Sequence, residues 1–181
     1  MIQKERHAQF RIDPLGDQHN RKLFSCGVEP LDRYLHNQAG QDIRKHVAAV
    51  FVLTPDGETV AGFYTLSAHV VNLGDLPETT ARKLPRYPNL PATLLGRLAV
   101  SIQFRGQGIG QLLLLDALRR TLATSAEVAS VAVVVDAKNE ASRSFFLHHD
   151  FVPLPSNPNR LFYPVASIKK LFGGSAILPP F

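Results

Sequence analysis

A strand-like run closing on Gly96-Arg97-Leu98-Ala99-Val100 is followed almost at once by Arg105-Gly106-Gln107-Gly108-Ile109-Gly110, where a helix-like run begins. This is the most restrictive stretch of the chain. Glycines let the backbone turn tightly and bring its N–H groups to a ligand without interference from a Cβ. The helix behind them adds unpaired N–H groups and the positive end of its dipole. Strand, glycine turn and helix start together form an anion site suited to a pyrophosphate. A bare glycine turn with no ligand is the plain alternative. Two other nucleotide sites fail on the residues. A Walker loop needs Gly-Lys-Ser/Thr, which is absent here, and a dinucleotide fingerprint belongs near a first strand within a βαβ unit.

The flanking chain supplies the rest of an α/β architecture. Val47 to Thr54 and Val60 to Ser67 read as two strands, joined through Pro55-Asp56-Gly57 into a hairpin. Ahead of them, Leu31, Tyr34 and Leu35 have helical spacing. Residues 72–92 carry four prolines and predict irregular chain around a short helix near Thr79 to Leu84. Thr93 to Val100 is the strand before the loop, and Ile109 to Leu122 is a long helix with an apolar face on Ile109, Leu112, Leu113, Leu115 and Leu118. Ser130 to Val135 is a continuous apolar run, as in a strand covered on both faces. Ala141 to His148 predicts a shorter helix, followed by strands at Phe151-Val152 and at Arg160 to Pro164. The expectation is one domain over 1–172, with 173–181 a flexible tail.

Composition narrows the setting. No apolar run approaches the roughly 18 residues of a membrane helix, and Met1 to Arg6 lacks a signal peptide's apolar core. The single cysteine, Cys26, rules out an internal disulfide and fits a cytoplasmic protein. A net charge of +5 points to an anionic partner, and small basic groups stand at Arg21-Lys22, Arg44-Lys45 and Arg82-Lys83-Arg86. No cluster of metal ligands suggests a metal site.

The order hairpin, strand, glycine loop, long helix, apolar strand, short helix resembles the GNAT superfamily of N-acetyltransferases. That family's Gln/Arg-x-x-Gly-x-Gly/Ala motif is met by Arg105, Gly108 and Gly110, with Gly106 as an extra glycine. The resemblance implies an α/β (α+β) fold with a mixed central sheet of about six to seven strands and flanking helices, and acetyl-CoA as cosubstrate. It assigns Arg105, Gly106, Gln107, Gly108, Ile109 and Gly110 to the CoA phosphates and Leu98 and Val100 to the pantetheine arm. It also places Asn139 near the cofactor.

Other pieces are similar to one branch, the acetyltransferase toxins of bacterial toxin–antitoxin pairs. They are Phe24-Ser25-Cys26-Gly27 with Leu31-Asp32-Arg33-Tyr34-Leu35, then Gly62-Phe63-Tyr64-Thr65-Leu66-Ser67, Gly96 to Val100, and Pro158-Asn159-Arg160-Leu161-Phe162. This resemblance implies acetylation of the α-amino group of aminoacyl-tRNA, a ribbon-helix-helix antitoxin, repression of operator DNA only through that antitoxin, and a homodimer. A non-toxin GNAT acting on protein N-termini or small amines, and a silent acetyl-CoA- or antitoxin-binding co-repressor, are the competing readings.

The reaction needs an oxyanion donor, for which the backbone N–H of Val100 is the candidate, and a general acid for the leaving thiolate. The branch places a tyrosine there, in a Phe-Tyr-x-x-x-Gly-Phe stretch. This chain has Phe145-Phe146-Leu147-His148-His149-Asp150-Phe151, so Phe146 stands for the tyrosine and Asp150 for the glycine. Phenylalanine has no proton to give. Three readings follow: a disarmed variant, a natural inactive relative, or another acid among His148, His149, Tyr163 and Tyr64.

Overall fold

The computed structural model describes residues 10–173. The chain divides into two units, one of residues up to Leu66 with Arg97–Asp116, the other of Ser67–Gly96 with the residues from Ala117 on. Seven strands, β1 (Arg11–Pro14), β2 (Ala49–Thr54), β3 (Gly62–Asn72), β4 (Asn89–Val100), β5 (Ala132–Asp136), β6 (Val152–Leu154) and β7 (Asn157–Pro164), form one sheet in the order β1-β2-β3-β4-β5-β7-β6. Three elements, β3 (Gly62–Asn72), β4 (Asn89–Val100) and α4 (Ile109–Thr124), run from one unit into the other.

In the first unit, β2 (Ala49–Thr54) and β3 pair antiparallel from Ala49↔Leu66 to Leu53↔Gly62, which is the expected hairpin. Its turn is held by Asp56, whose carboxylate accepts the N–H groups of Glu58 (2.9 Å) and Thr59 (2.7 Å) and the Thr59 hydroxyl (2.6 Å). These bonds, the Thr59 hydroxyl first, hold the Asp56 carboxyl far below its usual range. Gly57 takes the left-handed position beside it, at φ 91°. A strand the sequence did not announce, β1 (Arg11–Pro14), adds to the outer edge of β2.

The helical stretch around Leu31 to Leu35 is α1 (Glu29–Arg33), which passes through one wide π turn at Tyr34–Gln38 into α2 (Ala39–Arg44). Tyr34, Leu35 and Ala39 are buried against Phe24, Val50 and Phe63. Tyr34 stacks on Phe63 and donates its hydroxyl to Asp42 at 3.0 Å. Burial, with Asp42 next to it, pushes the Tyr34 phenol up to about 12.

In the second unit, β5 (Ala132–Asp136) is buried over its first four residues, as its apolar run demands. It pairs parallel with β4 at Thr93↔Val133 and Leu94↔Val134, and antiparallel with β7 (Asn157–Pro164) from Ala132↔Pro164 to Asp136↔Arg160. The edge strand is β6 (Val152–Leu154).

Several boundaries differ from the sequence reading. Strand β4 begins at Asn89 and passes straight through Pro91. A proline costs a strand only its N–H, and the Pro91 carbonyl still accepts from Val131 (2.9 Å). The short helix expected near residues 79–84 is α3 (Glu78–Ala81). After β7 the chain forms α6 (Val165–Leu171), a helix within the expected domain that the sequence reading left unassigned. Of the expected tail, all but Gly173 lies outside the described residues, as do Met1 to Arg6. Among the described residues no helix is long and apolar enough to cross a membrane, and no group of three or more His, Cys, Asp or Glu could hold a metal.

Candidate active site

Strand β4 ends with Ala99 buried and with Leu98 and Val100 half-buried. It sits flush against its neighbours in the first unit: a Cβ on Gly62 would lie 2.9 Å from the Ala99 carbonyl oxygen, 2.8 Å from Leu113 Cδ1 and 3.1 Å from Ile109 Cγ2. A single 3-10 turn, Ile102–Phe104, then leads into the glycine loop. Two bonds moor this entry. The Ile102 N–H donates to the Ser25 carbonyl (2.8 Å), and the Arg105 guanidinium donates to the Cys26 carbonyl (2.5 Å). The Arg105 side chain thus grips protein backbone at the Phe24-to-Gly27 motif.

That motif is itself organised by Asp32, which accepts the Cys26 N–H (2.8 Å) and the Ser25 hydroxyl (3.1 Å). Against the opposing effect of burial, the bonds from Cys26 and Ser25 hold the Asp32 carboxyl below its usual range. Burial and this carboxylate push the Cys26 thiol up to about 11, which leaves it an inert core group.

Gly106 and Gly108 have φ of 75° and 74°, and a Cβ added to either would meet nothing within 4 Å. The glycines answer to backbone conformation, and open space lies beside them. Helix α4 starts immediately, with Ile109 buried and the Leu112 N–H closing on the Gly108 carbonyl (3.1 Å). The N–H groups of Ile109, Gly110 and Gln111 precede the first intrahelical bond and have no acceptor in the helix. Left-handed glycines beside a helix start form the kind of N–H concavity that binds phosphate.

Within the second unit, the β4–β5 ladder consists of two pairs, although β4 continues through Leu95 and Gly96 and β5 through Val135 and Asp136. The two strands part there. Asn139 caps α5 (Glu140–His148): its Oδ1 accepts the Ser142 N–H (2.8 Å), and Ser142 Oγ accepts the Asn139 N–H (3.3 Å). A capping box accounts for this asparagine's carbonyl oxygen.

Phe146 is buried at 7% exposure, its ring 5.2 Å from those of Phe145 and Phe151. Asp150, where the resemblance expects glycine, has φ 65°. The Asp150 N–H donates to the Leu147 carbonyl (3.1 Å) and the Phe151 N–H to the Phe146 carbonyl (3.0 Å). This is a Schellman cap with its apolar contact between Phe146 and Phe151.

The alternative acids divide sharply. Tyr64 is fully buried, stacked on Phe51, with its hydroxyl on Asp116 at 2.7 Å, so it has no route to a leaving group. Tyr163 is 7% exposed, and its phenol is pushed up by burial and then by Asp150. His148 is exposed. His149 packs edge-on against Phe145 (4.7 Å), and burial, then the charge of His148, lowers its pKa.

Sequence reasoning missed three partnerships. Arg97 lies 3.6 Å above the Tyr34 ring, Tyr64 meets Asp116, and Arg160 grips Asp136 through two bonds of 2.7 and 3.0 Å. Each arginine or tyrosine sat in a quoted motif, but its partner is distant in the chain, and no local spacing marks it.

A mixed sheet with a strand that runs into left-handed glycines and a helix start defines an α/β protein whose glycine loop has a geometry suited to a phosphorylated ligand. The chain belongs to the acetyltransferase (GNAT) family, whose model matches residues 17–151, and enzymes of that family use acetyl-CoA. It is 33% identical over 175 residues to "Probable toxin TacT" of Sinorhizobium fredii, covering 92% of this chain and 97% of that protein. A crystal structure of a tyrosine-to-phenylalanine mutant of KacT superposes with a TM-score of 0.84 at 33% identity, covering 91% of this chain and 99% of the other. AtaT complexed with acetyl-methionyl-tRNAfMet gives a TM-score of 0.84 at 31% identity, with coverage of 90% and 99%. A tyrosine-to-phenylalanine mutant of AtaT, bound to the C-terminus of the antitoxin AtaR and acetyl-CoA, gives 0.76 at 30% identity, with coverage of 91% and 98%.

Proposed function

We propose that this chain is the toxin of a toxin–antitoxin pair and acetylates the α-amino group of aminoacyl-tRNA. The observation that carries the reading is the run from β4 into Gly106 and Gly108, both left-handed and open, at the start of α4. The likeness over nearly the whole chain to AtaT, seen with acetyl-methionyl-tRNAfMet, supports the substrate class. An aminoacyl α-amine titrates near or below the ≈ 7.7–8.0 of a free α-amino group, so it attacks with little help from a base.

The residues present fit acetyl-CoA, which supplies an activated acetyl thioester. The N–H groups from Gly106 to Gly110 hold its phosphates, and Arg105 serves by fixing the loop to Cys26. Gln107, exposed at the loop's crest, adds an amide there. Leu98 and Val100 offer strand backbone to the pantetheine arm, and the Val100 N–H donates to the oxyanion. Asn139, with its side-chain NH₂ left over from capping, is assigned to the cofactor by its place in the sequence.

Phe146 supports a second reading, a chain that binds acetyl-CoA with little turnover, because its ring carries no proton to donate. In either case the chain works in the cytoplasm as a homodimer, with a ribbon-helix-helix antitoxin through which it represses operator DNA. Radiolabelled acetyl transfer to a charged tRNA pool, set beside peptide N-termini, tests the reading in the parent and in Phe146→Tyr. Label on the aminoacyl-tRNA is expected, and label confined to peptides would reject the toxin assignment.

A further inference from the structure

Two dibasic pairs, Arg21-Lys22 and Arg44-Lys45, lie outside the residues assigned to acetyl transfer, and the first unit brings their arginines together. Arg21 opens the 3-10 turn Arg21–Leu23, and Arg44 closes α2. A Cβ on Gly40, the second residue of α2, would lie 3.0 Å from Arg21 Nη1 and 3.3 Å from Arg44 Nη1. Two guanidinium groups therefore meet over one bare stretch of backbone. Lys22, Arg44 and Lys45 are exposed, and Arg21 is half-buried.

The nearby acids leave this charge unanswered. Asp42, on the same helix, is buried and accepts bonds from Tyr34 and Gln38. Asp17 and Glu58, in adjoining loops, pair with neither arginine, and among the described residues none of the four basic side chains enters an ion pair.

We propose that this convergence is a site for one phosphodiester of an RNA backbone, with Arg21 and Arg44 on a single phosphate and Lys22 and Lys45 flanking it. It rests on the aminoacyl-tRNA reading and extends it to a surface remote in the chain from the acetyl-transfer residues. A tetrahedral phosphate presents diverging oxygens that two planar forks can grip from different sides. A carboxylate's acceptor sites all lie in one plane, so a second guanidinium must enter that same plane, a restriction that the tetrahedral phosphorus of a phosphodiester lifts. Gly40 leaves the gap between the forks free of side chain.

The test uses the full chain and unfractionated tRNA, with affinity measured across a salt series. Two variants are compared: the double change Arg21→Gln with Arg44→Gln, and Gly40→Glu, which sets a carboxylate between the forks. Each should raise Kd on the order of tenfold at low salt and flatten the slope of log K against log salt by about one. An unchanged melting temperature, and an unchanged acetyl-CoA-induced rise in it, show that the variants are folded. Unaltered Kd and slope in both variants would overturn the site. Retained tRNA binding with lost binding of polyglutamate would also overturn it, in favour of an acidic protein partner. A parent chain that binds no tRNA at all would remove this site together with the aminoacyl-tRNA reading.

Discussion

One ring and one carboxylate, four residues apart at the end of α5, carry the sharpest predictions. Phe146 is packed between Phe145 and Phe151, so a tyrosine there would keep the packing and add one hydroxyl. Phe146→Tyr is expected to raise acetyl transfer by on the order of 10²–10⁴, the range of general acid catalysis, with little change in acetyl-CoA affinity. Equal turnover in the two proteins would move the search for the acid to His148, His149 or Tyr163. Asp150 bears on stability. It occupies a left-handed position that costs a residue with a Cβ roughly 1–2 kcal/mol, and it sets a negative charge beside a helix C-terminus. Asp150→Gly should stabilise the fold by roughly 1 kcal/mol, a rise in Tm of about 2–4 °C for a chain of this size. A lower Tm would mean that the Asp150 side chain supplies something the cap geometry does not reveal. The glycine expected from the resemblance was thus a backbone requirement, and the sequence already marked the position.

At the scale of elements, what could be read was whatever rests on local periodicity. The hairpin, the long helix after the glycine loop and the buried central strand all follow from the spacing of apolar residues. The misses have different causes. Strand β1 is four residues of mixed polarity whose stability comes from pairing with β2. The early start of β4 was hidden by Pro91, and α6 by its place beside a presumed tail. The glycine loop was legible as chemistry, but the bond from Arg105 to the Cys26 carbonyl was not, because that partner lies far back in the chain. Two glycines test the packing and the loop separately. At Gly62 an added methyl would meet the Ala99 carbonyl at 2.9 Å, an atom of the backbone that cannot swing aside. Gly62→Ala should therefore cost about 1–3 kcal/mol, as overpacking does, readable in a denaturant midpoint. At Gly108 nothing crowds a Cβ, but at φ 74° any side chain costs the fold roughly 1–2 kcal/mol, so the test reads the ligand-induced rise in Tm rather than Tm itself. Gly108→Glu is expected to erase the acetyl-CoA-induced rise in Tm, and a persisting rise would reject the loop as the phosphate site.

The molecule as a whole should lose stability on mild acidification. His69 and His149 both have pKa values lowered from 6.5, each first by burial, then by Arg160 for His69 and by His148 for His149. A base held at a lower pKa in the folded chain binds fewer protons than it does unfolded. Stability therefore rises with pH between the folded and unfolded values, and falls as pH drops below about 6.5. The carboxylates do not confuse this window. The side-chain bonds from Arg160 hold Asp136 below 3.8, and Asp32 is also depressed below 3.8, so the stability they contribute is lost only at lower pH. Net charge acts in the same direction. The chain already carries +5 with its seven histidines neutral, and protonating them adds to self-repulsion. Tm measured at constant ionic strength should be flat above about pH 7 and decline toward pH 5. His69→Gln and His149→Gln should each flatten part of that decline while leaving the plateau in place. Because high salt screens the general repulsion but does not undo burial, the part of the decline due to these two histidines should survive added salt. A decline abolished by salt and untouched by either substitution would assign it to net charge alone.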